Sequence, residues 1–118
     1  MKILLIDDSN LARRILKRIL EKENHEIIEA GSGMEGLEKF YLEKPDVVFL
    51  DLTMEGINGL EVLEKIKEID PSAKVVIVSA DIQKQTKELA IQKGALAFIN
   101  KPVVEEEVLN MLKEISGG

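Results

Sequence analysis

Asp7, Asp8 and Asp51 each follow directly on a short apolar run, Lys2-Ile3-Leu4-Leu5-Ile6 for the first two and Val47-Val48-Phe49-Leu50 for the third. Val75-Val76-Ile77-Val78 runs in the same way into Ser79, and Ala97-Phe98-Ile99-Asn100 runs into Lys101. If these runs are strands of one parallel sheet, acids, a hydroxyl and an amine converge at its carboxyl edge, where open α/β sheets bind their ligands. Carboxylates about 4 Å apart repel by roughly 4 kcal/mol at an effective dielectric near 20, so such a cluster calls for a cation. Mg²⁺ suits an open acidic corner, because it takes one or two carboxylates directly and keeps several waters; Ca²⁺ would lack the EF-hand loop. A carboxylate surrounded by a metal, an ammonium and a hydroxyl can itself carry a highly negative group, and carboxylates are known nucleophiles in phosphoryl transfer. Such transfer depends mainly on positioning and electrostatics.

The elements that must position these residues are legible in order. The first strand is followed by Asp7-Asp8-Ser9-Asn10, which supplies turn chemistry and a helix N-cap. Leu11, Ile15, Leu16, Ile19 and Leu20 then repeat at helical spacing, with Arg13, Arg14, Lys17, Arg18 and Glu21 on the other face. Glu26-Ile27-Ile28-Glu29-Ala30, short and flanked by charge, has the character of an edge strand. Met34, Leu37, Phe40 and Tyr41 predict a second helix ending before Pro45, since the residue preceding a proline avoids helical geometry. Pro45 introduces the third strand, whose unbroken apolar run predicts burial on both faces. The turn Gly56-Ile57-Asn58-Gly59 leads into a third helix with Leu60, Leu63 and Ile66 on its apolar side, ended by Asp70-Pro71. A fourth strand over Lys74–Val78 precedes a helix from Asp81 to Lys93, in which only Ile82, Leu89, Ala90 and Ile91 could face inward. That helix is expected to be loosely held. Gly94 suits a left-handed C-terminal cap, and after the fifth strand Val104, Val108, Leu109, Leu112 and Ile115 define a last helix before the tail Ser116-Gly117-Gly118. Fivefold alternation of strand and helix predicts an α/β fold, a five-stranded parallel sheet with right-handed crossovers and helices on both faces.

Bulk properties narrow the function. The 118 residues are expected to form one domain, 1–118, with 45% hydrophobic and 32% charged residues and a net charge of −6. That charge disfavours direct nucleic-acid binding, as no basic patch offsets it. Without cysteine there is neither disulfide nor thiolate metal site. The first residues suggest neither a signal peptide nor a membrane span, so a cytoplasmic location is expected without membrane insertion.

Taken together, Asp7-Asp8 after the first strand, Asp51 after the third, Ser79-Ala80 after the fourth and Lys101-Pro102 after the fifth resemble the receiver domain of two-component response regulators, and the likeness spans essentially the whole chain. The resemblance implies the flavodoxin-like strand order 2-1-3-4-5. It implies that Asp51 is the phosphoacceptor, charged by a phosphohistidine of a sensor histidine kinase or histidine phosphotransfer protein. Asp8, Asp51 and the Thr53 backbone carbonyl would hold Mg²⁺, and Asp7 would act through water. Lys101 would contact the phosphoryl group across a cis bond to Pro102, Ser79 would hydrogen-bond it, and Phe98 would be the aromatic switch that swings inward as Ser79 moves. An output protein would read the fourth helix, fifth strand and fifth helix. Asp7-Asp8-Ser9 and the Arg13 helix are similar to chemotaxis regulators. Such a protein is not a conventional enzyme, since it catalyses only its own phosphorylation and dephosphorylation; it would be a monomer able to dimerise on phosphorylation. The chain departs from the family pattern at Glu55, commonly proline, and at Asn58, commonly aspartate, while Phe98 replaces a tyrosine whose hydroxyl could bond a partner. Thr53 and Asp81 stand where the family tunes phosphoaspartate lifetime.

Each residue taken singly has an ordinary alternative. Asp7-Asp8 could cap a helix, Asp51 could be a solvated acid, Ser79 a turn residue, Lys101 a surface charge and Phe98 core filling. His25 reads as a residue of an exposed turn, and Arg13, Arg14, Lys17 and Arg18 as a solvated helix face. A phosphorelay intermediate, or a receiver cut from a DNA-binding regulator, would carry the same motifs. A small Mg²⁺-dependent phosphohydrolase is disfavoured, because Thr53 stands where aspartyl-nucleophile phosphatases carry a second aspartate and no capping insertion is present.

Overall fold

The computed structural model describes residues 1–54, 56–81 and 83–117. Glu55, Ile82 and Gly118, on which the sequence places a family departure, an inward-facing side chain and the chain end, lie outside the described residues. Strands and helices alternate as β1 (Lys2–Ile6), α1 (Asn10–Glu21), β2 (Glu26–Ala30), α2 (Gly33–Glu43), β3 (Val47–Leu50), α3 (Gly59–Ile69), β4 (Val75–Ser79), α4 (Lys84–Gln92), β5 (Ala97–Asn100) and α5 (Glu105–Ile115). All strand pairs are parallel, in the order β2-β1-β3-β4-β5, so the sheet and its flavodoxin-like order are as expected.

Every residue of β3 is buried, because helices cover both faces of the sheet. On one face Leu4, Ile6, Val48, Leu50 and Ile77 pack against Phe40 of α2, Val62, Leu63 and Ile66 of α3, and Ala90 of α4. On the other, Ile3, Leu5, Phe49, Val76 and Ile99 pack against Leu16, Ile19 and Leu20 of α1 and Val108 and Leu112 of α5. Each Val, Leu, Ile or Phe among them contributes about 1.5 to 3 kcal/mol on burial, so the inner strands carry much of the burial energy of the molecule.

Register sets how the strand ends line up. Ile6 is level with Leu50 on one side and Ala30 on the other, so the residues that follow β1 and β3 emerge side by side. Ser79 is level with Asn100, which sets Lys101 next to it. A slip of one residue would turn every side chain to the opposite face, and the two apolar layers forbid it.

The helices differ from their sequence patterns in instructive ways. Leu11 is 64% exposed and Ile15 is also exposed, because the inward stripe of α1 passes through Leu16, Ile19 and Leu20 and leaves both on its flank. On α2 the expected Met34 and Tyr41 are exposed, and the buried stripe is Gly33, Gly36 and Phe40, with Leu37 at its margin. Gly36 lets the helix sit directly on the sheet, where a Cβ would come within 2.6 Å of the Ile6 side chain, and Gly33 lets it close on Ile57 and on Val62 of α3. A search for large apolar residues overlooks that kind of face. In α3 Val62 joins Leu63 and Ile66 inside, while Leu60 is only partly buried. Of α4 only Ala90 is buried, whereas Leu89 and Ile91 are exposed. The helix begins at Lys84 instead of Asp81, because the Asp81 carboxylate accepts from the Gln83 amide and the Thr86 hydroxyl, both at 2.8 Å, and so forms the turn before it. Val104, expected inside α5, is exposed ahead of its first turn. Gly94 has a φ of +107°, the left-handed geometry expected of a helix cap.

Candidate functional site

Asp51 emerges from β3 with its amide donating to the Ile6 carbonyl at 2.9 Å, and Asp7 emerges from β1 with its amide donating to the Ala30 carbonyl at 3.1 Å. The sheet therefore holds both residues by backbone bonds of neighbouring strands. The Asp7 carboxylate accepts from the Ser9 amide at 2.9 Å, and the Ser9 hydroxyl accepts from the Ala12 amide at 3.1 Å, capping α1. Each carboxylate does more than cap. Carboxylate oxygens of Asp7, Asp8 and Asp51 all lie within 4.8 Å of one another, with Asp7 and Asp51 buried and Asp8 exposed at the rim.

Lys101 supplies the facing cation. Its Nζ donates to Asp7 Oδ2 at 2.8 Å and stands 3.6 Å from Asp51 Oδ1. The lysine is held from behind, as its amide donates to the Ser79 carbonyl at 2.9 Å. Its bond to Pro102 is cis. Asp7, to which the resemblance assigns a role through water, also pairs directly with the Lys101 ammonium. Ser79 is fully buried, and its hydroxyl oxygen accepts from the Asp81 amide at 3.1 Å. That hydroxyl still carries one proton to donate. The Thr53 hydroxyl donates to the Asp51 carboxylate at 3.3 to 3.4 Å. Phe98, level with Ile77 on the edge strand β5, is partly buried against the α2–α3–α4 layer.

Burial pushes the Asp51 carboxyl above its ordinary range, and the charge of Asp7 adds to the push; Lys101 and the hydrogen bonds from Thr53 only partly oppose it. Asp51 is therefore a buried carboxylate short of positive charge. The donor set fits Mg²⁺: hard oxygen ligands, two buried and one exposed at the rim. Asp7, Asp8 and Asp51 are the carboxylates that could hold such an ion.

Two features of the site escaped the sequence. Gly59 packs against the backbone leaving Asp51, where a Cβ would come within 2.5 Å of the Asp51 carbonyl oxygen. Gly59→Ala is expected to lose about 1 to 3 kcal/mol of stability, as overpacking does, although alanine is the better helix former elsewhere. Urea unfolding measures it; a midpoint equal to or above that of the wild type would show that the backbone gives way freely. Arg13 is the second. It does not lie on a solvated face, for its side chain is only 14% exposed and reaches the Asp7 carbonyl, Asn10 and Glu29. Its three-residue spacing from Asn10 was the available signal, since such pairs share a helix face. Asn58, in place of the usual aspartate, caps α3 by accepting from the Glu61 amide at 2.9 Å, so this departure leaves the cap intact. His25 is half-buried, with Nδ1 3.1 Å from the Met1 amine.

Residues 3–113 match the family model of the response regulator receiver domain. The chain is 41% identical over 115 residues to the chemotaxis protein CheY of Listeria monocytogenes, covering 97% of each chain. It is 33% identical to the sporulation initiation phosphotransferase F of Bacillus subtilis, covering 96% of this chain and 91% of that one. Among solved structures, CheY in the CheX-CheY-BeF3-Mg+2 complex of Borrelia burgdorferi superposes with a TM-score of 0.93 at 32% identity, over 98% of this chain and 88% of that one.

Proposed function

This chain belongs to the response regulator receiver domain family, and on that premise we propose that it is a phosphorylation-dependent switch of a two-component system with Asp51 as the phosphoacceptor. The observation that carries this is the buried Asp51 carboxylate, 3% exposed, facing an ammonium at 3.6 Å beside two further carboxylates. An Asp51 oxygen attacks the phosphorus of a phosphohistidine, the P–N bond breaks, and its electron pair leaves with the imidazole of the donor. Mg²⁺, when bound, would supply charge neutralisation for the transferred group, and Asp8, Asp51 and the Thr53 carbonyl would hold it. Asp7 keeps Lys101 aimed at the acceptor, and Lys101 moves from carboxylate to phosphoryl oxygen as charge builds there. Ser79 turns its proton toward the same group, and the vacated space lets Phe98 move inward. Typical couplings of 1 to 3 kcal/mol suffice to bias a two-state equilibrium of this kind.

The output surface in this proposal is α4, β5 and α5, where Leu89 and Ile91 of α4 are exposed. The donor is a sensor histidine kinase or phosphotransfer protein, and the CheY relatives favour a chemotaxis pathway in the cytoplasm. Among the described residues no helix is long and apolar enough to cross a membrane. The 33% identity to a sporulation phosphotransferase supports a second possibility, a phosphorelay intermediate that passes the group on to another histidine protein. No turnover of separate phosphate esters is expected in either case.

Intact mass after incubation with Mg²⁺ and acetyl phosphate tests the proposal. A gain of one phosphoryl group, absent with a chelator, is the expected result. No gain, together with no response to beryllofluoride, would overturn it.

A further inference from the structure

Arg13 ties together the three pieces of chain that border the acidic corner. Its guanidinium donates to the main-chain carbonyl of Asp7 and to Asn10 Oδ1, and its Nε donates to Glu29 Oε1 at 3.2 Å. These partners belong to the turn after β1, the first turn of α1 and the end of β2 respectively. The peptide group is planar, so holding the Asp7 carbonyl oxygen also holds the amide that leads into Asp8. Asp8 is the exposed member of the carboxylate triad, and the orientation of that peptide sets the direction in which the chain enters Asp8.

From this geometry we infer that Arg13 is a positioning residue for the cation site: it fixes the Asp7–Asp8 peptide so that Asp8 meets Asp51 at a separation a divalent ion can bridge. The inference rests on the proposed Mg²⁺ site and goes beyond it, since Arg13 touches no metal ligand atom. Glu29 has two parts here. It orients the guanidinium, and its carboxylate is shared between the two cations Arg13 and Lys17, the Lys17 Nζ lying 3.5 Å from Glu29 Oε2. Arginine suits this role because its planar fork reaches several acceptors at fixed angles, whereas a lysine ammonium reaches one or two without setting their orientation.

Electrostatics alone predicts the opposite effect, which makes the inference sharp. Removing a positive charge near three carboxylates should tighten cation binding, whereas losing the positioning should weaken it. Outer partners of metal ligands typically govern affinity about 10- to 100-fold, and here about tenfold is expected. The experiment is an amide-detected NMR titration of the full chain with MgCl₂, comparing wild type with Arg13→Met, Arg13→Lys and Arg14→Met. Arg14 is exposed and one residue away, so its variant removes equal charge without touching the turn. Arg13→Met should bind Mg²⁺ about tenfold more weakly, Arg13→Lys should recover part of the loss, and Arg14→Met should bind as well as wild type or better. In the metal-free proteins, hydrogen exchange at the Ser9 and Ala12 amides should quicken in Arg13→Met while the Leu20 amide stays protected. Unchanged or tighter binding in Arg13→Met would overturn the inference, and so would unchanged exchange at Ser9 and Ala12. A wild type with no saturable Mg²⁺ response would defeat the metal site itself, and the exchange measurement would then decide by itself whether Arg13 holds the turn.

Discussion

Asp51→Asn is expected to take up no phosphoryl group from acetyl phosphate and, in metal-free buffer, to be more stable than the wild type. The two effects have one origin. Asp51 is 3% exposed and beside the charge of Asp7, so its ionised form is held at a cost that function requires and stability does not. The folded-state pKa lies above the ordinary value of 3.8, so the folded chain binds the proton more readily than the unfolded one. The associated stability is present below 3.8, is lost as pH rises through the folded value, and is absent at neutral pH. An asparagine amide keeps the shape, can still bond Thr53, and leaves Lys101 to Asp7 alone. A gain on the order of 1 kcal/mol, roughly 4 °C in Tm for a domain of this size, should appear near pH 7 and shrink toward pH 4. Intact mass and thermal unfolding across that range are the measurements. A variant that still gains a phosphoryl group would move the acceptor elsewhere, and one that is less stable at neutral pH would mean that the carboxylate is well compensated.

Lys101→Met is expected to act in the reverse sense. Its ammonium is the cation within 4 Å of both buried carboxylates, at 2.8 Å from Asp7 and 3.6 Å from Asp51. Removing one partner of a buried ion pair commonly costs 3 to 5 kcal/mol, because the other charge remains without compensation. The lysine side chain is 23% exposed, so the lower end applies, about 3 kcal/mol out of a total of roughly 5 to 15 for a small domain. Mg²⁺ should restore much of this loss. The same carboxylates then depend on the metal for their counter-charge, and the shift in unfolding midpoint between chelator and saturating Mg²⁺ should be larger in the variant than in the wild type. Urea unfolding under both conditions checks this. Equal stability of the two proteins in chelator would show that water reaches the carboxylates and that Lys101 is free for another task. Phosphorylation should also slow, since no cation then meets the transferred group from that side.

Together the variants separate the two demands on this corner. Asp51→Asn removes a charge that is poorly compensated, and Lys101→Met removes the compensation. If the first stabilises and the second destabilises, the resting site is poised to receive a cation and an anionic group, which is how a receiver domain is expected to couple chemistry to a change of state.

Much of this protein is already determined by its sequence. Short apolar runs that lead into Asp7, Asp51 and Ser79, and through Asn100 into Lys101, specify both the strands and what emerges from them, because the buried stretch of a sheet strand is apolar and its polar residues collect at the strand ends. Ser9 announces its helix by a local hydrogen bond that needs nothing distant. What the tertiary structure decided is which face each helix presents and which charges meet. Leu11, Met34 and Tyr41 are apolar at plausible spacing yet exposed, because the inward direction of a helix is set by the sheet beneath it; on α2 that direction runs through Gly33 and Gly36, where close approach matters more than hydrophobicity. Arg13 and Glu29 are separated by sixteen residues, and Lys101 and Asp7 by ninety-four. No local pattern distinguishes either pair from solvated charges, since their partners are chosen by parallel register and by the height at which neighbouring strands end.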